Sequence, residues 1–259
     1  MSEDGLRVIQ ISDFHLLADA GERLREVDTH ATLAAVIERV RAESPAPDLV
    51  LATGDLSQDG LLGSYRRVKT LLRRLDAPVY CLPGNHDDAA RFAAAMPGDG
   101  VHVARELCRN GWQIVFLDST VPGEEDGRLA DGELDALDRA LAARPGLHAL
   151  VCLHHHPVAV GGAWGDFVSL ANPDDLFAVL DRHPQVRGLL WGHVHHPFEG
   201  ARGAVRLIAT PSTCFQFAPG PGGSLATGDE PPAYRRLALG PDGAIDTELR
   251  WLDRLAVSP

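Results

Sequence analysis

The chain has 259 residues and 45 % hydrophobic content, enough to bury a substantial core in one globular unit. Its 36 acidic side chains outnumber 24 basic ones, and a formal net charge of -12 argues against nucleic acid as the main partner. No apolar run approaches membrane-spanning length, and the four cysteines show no CxxC spacing, so neither a membrane partner nor a cysteine zinc site is expected.

The start, residues 1–7, is acidic and has neither the basic region nor the apolar segment of a signal peptide, which points to a cytoplasmic protein. Residues 7–12 form the first strand pattern, ending in Asp13-Phe14-His15. Leu33, Val36, Ile37 and Val40 recur at helical spacing over 29–43, before Pro45. Residues 48–53 read as a strand ending in Gly54-Asp55. Ser64 is placed to cap a helix reaching about Leu75.

The apolar run 78–82 opens onto Gly84-Asn85-His86-Asp87. A strand over 113–118 and a helix over 131–144 follow, and a strand over 148–153 ends in His154-His155-His156-Pro157. Asn172-Pro173 should start a helix that runs to about Arg182. The strand 186–191 ends in Gly192-His193-Val194-His195. Beyond it the pattern is strands only: 205–210, and a hairpin pairing 234–239 with 244–252 across Gly240-Pro241-Asp242-Gly243. Residues 219–232, rich in glycine and proline, read as a surface loop. Alternating strands and helices imply an α/β protein of mostly parallel pairing, with the closing segments adding a second sheet or an antiparallel edge. The chain reads as a single domain over 1–259.

Ligands in such folds collect beyond the carboxyl ends of the strands. Five apolar runs here end in oxygen or nitrogen donors, a set suited to divalent Mn²⁺, Fe²⁺ or Zn²⁺. Asp13-x-His15 and His193-x-His195 have a spacing that points both side chains the same way in extended chain. Asp13, His15, Asp55, Asn85, one histidine of the triplet, His193 and His195 exceed the three or four ligands of a single catalytic ion. Two ions sharing Asp55 accommodate them.

Asp-x-His, Gly-Asp, Gly-Asn-His-Asp, His-x-Pro and Gly-His-x-His, in that order over residues 13–195, resemble the five blocks of the calcineurin-like metallophosphoesterases. The resemblance implies a sandwich of two mixed β-sheets flanked by helices, here with a C-terminal β-hairpin. It implies that Asp13, His15 and His195 hold one metal, that Asn85, His155 and His193 hold the second, and that Asp55 bridges them. His155 lies two residues before Pro157, as the family's ligand does, with His154 one position away as the alternative. His86 would be the catalytic histidine that binds no metal, its ring oriented by Asp87 or another carboxylate. His15, Asp55, Asn85, His86 and His195 would meet the substrate. The metals could be manganese, iron as Fe²⁺ or Fe³⁺, or zinc.

Further segments, Gly54–Gly60, 117–123, 210–217 and 232–236, are similar to the bacterial class III cyclic-nucleotide phosphodiesterases that act on 3',5'-cyclic AMP. The resemblance implies hydrolysis to 5'-AMP by a hydroxide held between two metals. Other cyclic nucleotides or glycerophosphodiesters are the alternative substrates, and a non-catalytic scaffold would be expected to lack ligands that are all present here. An isologous homodimer is compatible with the chain, though no feature specifies it. Phe215 and Phe217 read as core residues, with stacking on a base as a second role. His30, His102, His148, His183 and His196 read as surface or loop residues.

Overall fold

The structure is a computed structural model and describes residues 5–164, 169–221 and 224–253. Strand β1 (Leu6–Ile11) divides its side chains between two cores: Leu6 and Val8 enter one, Ile9 and Ile11 the other. β2 (Leu49–Thr53) does the same, with Leu49 and Leu51 opposed to Val50 and Ala52. Strands covered on both faces need apolar residues at successive positions, which is why they read as unbroken runs.

Helices α1 (Thr29–Arg41), α2 (Leu62–Leu72) and α3 (Ala89–Ala95) pack outside the first sheet. That sheet continues from β1 and β2 through β3 (Val79–Leu82) to β4 (Val101–His102), all parallel. In the second sheet β5 (Glu106–Arg109) pairs antiparallel with β6 (Trp112–Phe116), and β6, β7 (His148–Cys152) and β8 (Val186–Trp191) are parallel. α4 (Asp131–Ala142) and α5 (Pro173–Leu180) cover its outer face through Leu137, Leu141, Leu176 and Val179.

β9 (Phe198–Arg202) and β10 (Val205–Ala209) complete the second sheet, in the order β5-β6-β7-β8-β10-β9. β11 (Phe217–Pro219) and β12 (Leu225–Thr227) form a separate hairpin. The chain then returns to the first sheet as β13 (Ala233–Leu239), antiparallel to β1, and β14 (Ile245–Trp251) on its outer edge. The fold is therefore an α/β sandwich of two six-stranded mixed sheets flanked by helices, with the expected C-terminal hairpin. Fully buried Leu33 illustrates the energetic scale: cutting such a leucine to alanine costs about 2–5 kcal/mol.

Three local expectations need correction. Ser64 lies inside α2 rather than capping it; its hydroxyl oxygen lies 2.7 Å from Asp59 Oδ1 and 2.6 Å from the Leu61 carbonyl, to one of which it donates. Asn172 precedes α5, but its side chain caps nothing, bonding instead to the Leu129 backbone at 3.0 Å in each direction. The expected loop over 219–232 contains β12, which Phe217–Pro219 recruits by pairing; residues 222 and 223 lie outside the described ones. His183 lies in the loop after α5, as expected, though buried there with Nε2 2.8 Å from Asp138 Oδ1, and His102 is exposed as expected.

The two sheets meet over a buried polar seam as well as an apolar one. Gln10 on β1 donates to Thr53 Oγ1 at 2.9 Å and to the Trp191 carbonyl at 3.0 Å, tying the ends of β2 and β8 together. Both ends carry residues of the site.

Candidate metal centre

Every donor picked out from the sequence lies just past the carboxyl end of a strand: Asp13 and His15 after β1, Asp55 after β2, Asn85 after β3, the histidine triplet after β7, and His193 and His195 after β8. The paired spacings do not work as extended chain. Asp13, His15, Asp55, His193 and His195 have φ of 57°, 48°, 51°, 67° and 45°, a left-handed conformation that residues bearing a Cβ rarely adopt. Through these turns His193 and His195 serve two different clusters.

In the first cluster His15 Nε2 lies 3.0 Å from His195 Nε2 and 3.6 Å from Asp55 Oδ2, and His195 Nε2 lies 3.6 Å from Asp13 Oδ1. In the second, Asn85 Oδ1 is 3.1 Å from both His154 Nε2 and His193 Nδ1, and His154 Nε2 is 3.3 Å from Asp55 Oδ2. Asp55 Oδ2 is the atom common to the two.

The tautomers are set from behind. His154 Nδ1 faces the Thr53 carbonyl at 2.8 Å, His195 Nδ1 the Phe215 carbonyl at 2.6 Å, and His15 Nδ1 the Gln58 Oε1 at 2.8 Å. A carbonyl oxygen accepts, so each Nδ1 carries the proton and, in the neutral ring, Nε2 presents a lone pair. At His15, His195, Asp13 and Asp55, lone pairs of nitrogen and carboxylate oxygen thus converge, an arrangement that suits divalent cations and that the His15–His195 contact leaves repulsive without one. The residues fit a pair of metal ions.

Electrostatics agree. Burial pushes the Asp13 carboxyl up to about 7 and the His15 imidazole down to about 4. His193 and His195 are held well below the usual histidine range, chiefly by burial. Burial opposes charge on His154 too, but the adjacent Asp55 outweighs it and raises His154 to about 9. Burial likewise works against ionised Asp55, and the neighbouring histidines, His154 first, keep its carboxyl well below the ordinary range. Among the protein's own groups, the positive charge that Asp55 attracts falls on His154.

The triplet brings two rings to the centre, the expected His155 and its neighbour His154. His154, not His155, contacts Asp55 and Asn85. His155 is also buried and shares with His154 and His193 a space that could hold a metal ion; its Nδ1 is 2.7 Å from Ser119 Oγ, and its Nε2 has no hydrogen-bond partner among the described residues. Counting back from Pro157 cannot tell the two apart, because the turn after β7 decides which ring points inward.

His86 lies beside both clusters, half-buried, its backbone amide donating to Asp55 Oδ1 at 2.9 Å. Asp87 does not orient its ring. The Asp87 carboxylate accepts from the amides of Gly84, Leu56 and Ser57 at 2.9, 3.1 and 3.0 Å, which clamps two site loops together. Burial, then Asp55, pushes its carboxyl up to about 7 against those three donors. The group that reaches the His86 ring is Gln58, whose Nε2 is 3.2 Å from His86 Nδ1. Since Gln58 Oε1 accepts from His15, its amide nitrogen donates to His86 Nδ1 and leaves the His86 proton on Nε2. No local sequence pattern signals this link, because it depends on the loop geometry after β2.

A cleft of about 340 Å³ opens over these groups, lined by His15, Asp55, Asn85, His86, His193 and His195 and, further out, by Arg25, Glu125, Asp126, Phe215 and Phe217. Its size lies within the range of small-molecule sites, roughly 300–1,000 Å³.

Residues 6–197 match the calcineurin-like phosphoesterase family, and the chain belongs to that family. Over 95 % of its length it is 44 % identical to the 3',5'-cyclic adenosine monophosphate phosphodiesterase CpdA of Pseudomonas aeruginosa, covering 90 % of that protein. With the CpdA of Escherichia coli K12 the identity is 38 %, over 96 % of this chain and 91 % of the relative. Among solved structures, a dimetal phosphatase from Danio rerio superposes with a TM-score of 0.62 at 15 % identity, covering 90 % of this chain and 95 % of the other. GAP50, the anchor in the inner membrane complex of Plasmodium, gives 0.66 at 13 % identity over 95 % and 84 %. A phosphatase and an anchor share this fold, so the fold alone does not settle activity.

Proposed function

We propose that the chain is a cytoplasmic, dinuclear metal-dependent phosphodiesterase that hydrolyses 3',5'-cyclic AMP to 5'-AMP, acting as one catalytic domain. The observation that carries the reading is the pair of donor clusters joined at Asp55 Oδ2 beside the half-buried His86. The substrate comes from the likeness to CpdA over 95 % of the chain. Four free cysteines, three of them buried, are consistent with a reducing compartment.

Asp13, His15, Asp55 and His195 would hold one ion, and Asp55, Asn85, His154 and His193 the other, with manganese, iron or zinc as candidates. Such ions supply positive charge that acidifies water and offsets charge on the phosphoryl oxygens. The chain's own part is positional. Asp55 and Asn85 fix the floor on which the phosphoryl group rests, and the Thr53, Phe215 and Gln58 oxygens lock the rings around it. His86, its single proton placed on Nε2 by the Gln58 amide at Nδ1, donates a hydrogen bond from Nε2 to a phosphoryl oxygen or to the departing 3' oxygen, whose proton then comes from water, help typically worth about 10²- to 10⁴-fold.

The test is elemental analysis coupled to hydrolysis of cyclic AMP with added Mn²⁺ or Fe²⁺, with the product separated as 5'-AMP or 3'-AMP. Two metal equivalents and 5'-AMP support the reading; a metal-loaded protein inactive on cyclic AMP defeats it. The contacts on the phosphoryl group are common to any phosphodiester, which favours glycerophosphodiesters and other cyclic nucleotides as the alternative substrates. A panel of rates on these separates the two readings.

A further inference from the structure

Beyond the donor clusters the cleft continues along a wall that phosphate chemistry does not require. The Phe217 ring lies with its centroid 4.5 Å from that of His195, and Phe215 meets Phe217 edge to face at 5.6 Å. Phe215 is buried, whereas Phe217 is half-buried at the cleft. Phe217 begins β11, where pairing with Thr227 and a 3.4 Å bond from its amide to the His195 carbonyl fix its backbone.

Arg25 reaches this pair from a distant part of the chain. Its guanidinium carbon stands 5.4 Å from the Phe217 centroid and 5.8 Å from that of Phe215. A tight turn delivers it: Leu24 and Val27 exchange both backbone hydrogen bonds, at 3.0 and 2.8 Å. The two residues between them, Arg25 and Glu26, have φ of 49° and 66°. A turn with both central residues left-handed ordinarily takes glycine or asparagine there. Here two large side chains occupy it, and one is carried to the aromatic pair at the cleft rim.

Resting on the phosphodiesterase reading, we propose that this wall is the nucleobase subsite. With the cyclic phosphate over Asp55 and Asn85, the purine stacks on Phe217 and on the guanidinium plane of Arg25. Aromatic rings and guanidinium planes are surfaces on which unpaired bases stack, and here they are contiguous with the donor clusters. Phe215 backs Phe217 from the protein side, and the turn at 24–27 holds Arg25 in register with it.

The experiment compares Phe217→Leu and Arg25→Ala with the wild type, each loaded with Mn²⁺, on cyclic AMP and on methyl riboside 3',5'-cyclic phosphate, the same cyclic diester without a base. The ratio of kcat/KM for cyclic AMP to kcat/KM for the base-free diester should fall about tenfold in each variant, mainly through KM. A second measurement needs no turnover: the fluorescence of 2-aminopurine riboside 5'-monophosphate, quenched by stacking in the wild type, should recover in Phe217→Leu. An unchanged ratio with unchanged quenching overturns the subsite. So does an equal loss of kcat on both substrates, since Phe217 would then act through His195. A wild type that turns over neither diester defeats the phosphodiesterase reading instead, and the quenching still decides the subsite.

Discussion

The Nε2 atoms of His15 and His195 face each other at 3.0 Å, and each ring already has its Nδ1 bonded to an oxygen. Two neutral imidazoles in that position repel, and a cation between them reverses the sign. Metal should therefore stabilise the folded chain. At a free Mn²⁺ concentration a hundred times the dissociation constant, linkage gives about 2.7 kcal/mol. At roughly 2–4 °C per kcal/mol for a chain of this size, the melting temperature should rise by about 5–10 °C over the chelator-treated protein. Differential scanning calorimetry with and without Mn²⁺ checks this, and coincident curves would contradict a metal site.

The triplet provides a sharper test. His154 contacts donors of both clusters through Asp55 and Asn85, so His154→Ala should lose at least one metal equivalent and most activity. His155→Ala should keep more metal, with affinity lowered about 10- to 100-fold, as for groups that support ligands. Metal content measured on both variants after dialysis decides; the reverse order would restore His155 to the ligand position.

Gln58 links His15 to His86, and its removal separates ring orientation from metal binding. Gln58→Ala should lower kcat about tenfold and alter its pH profile while both metals stay. His86→Ala should cost about 10²- to 10⁴-fold with the metals likewise retained. Asp55→Ala should lose the metals themselves. Kinetics paired with elemental analysis distinguish the three, and Gln58→Glu, which keeps one oxygen toward His15 but lacks the amide donor, should not rescue the rate.

Much of this was legible in the chain. Buried strands such as 186–191 announce themselves as apolar runs, and a donor directly after such a run falls at the sheet's carboxyl edge whatever the topology. The helix α3 escaped because Ala89–Ala95 buries little beyond Phe92 and has no apolar stripe. β5 and β9 escaped because edge strands have exposed faces and mixed composition. At the site, residue types were readable but ring orientation was not. His193 and His195 take their places through left-handed turns that no local pattern signals, and the roles of Gln58, Asp87 and His154 rest on contacts between loops distant in sequence.

Gly84 tests how tightly the floor is packed. A Cβ there would lie 2.2 Å from Asp55 Oδ1 and 2.4 Å from the Asp55 amide nitrogen, closer than atoms approach. Gly84→Ala must push Asp55 out of place, and its backbone cannot yield easily because the Gly84 amide is held by Asp87. Metal occupancy and activity should both fall at least tenfold in a variant that still folds by circular dichroism. Activity near the wild-type level would mean that Asp55 need not sit where it does.

Arg235 on β13 is fully buried at the seam between the sheets. Its guanidinium donates to the Ala209 carbonyl at 2.8 Å, to Thr210 Oγ1 at 3.2 Å, to Thr247 Oγ1 at 2.9 Å and to Glu199 at 2.7 Å. Burial lowers its pKa, and Glu199 opposes that. Cutting it to alanine opens a cavity and strands the Ala209 carbonyl, while Glu199, 45 % exposed, can return to water. The cost should be about 2–4 kcal/mol, less than for a pair buried at both ends. Arg235→Lys keeps the charge but not the planar fork, so it should recover less than half of the loss. Arg235→Met fills the space without a charge and should fall between the alanine variant and the wild type. Urea unfolding of the three variants with metal present gives the order; an alanine variant within about 0.5 kcal/mol of the wild type would mean that the seam is held by its apolar neighbours alone.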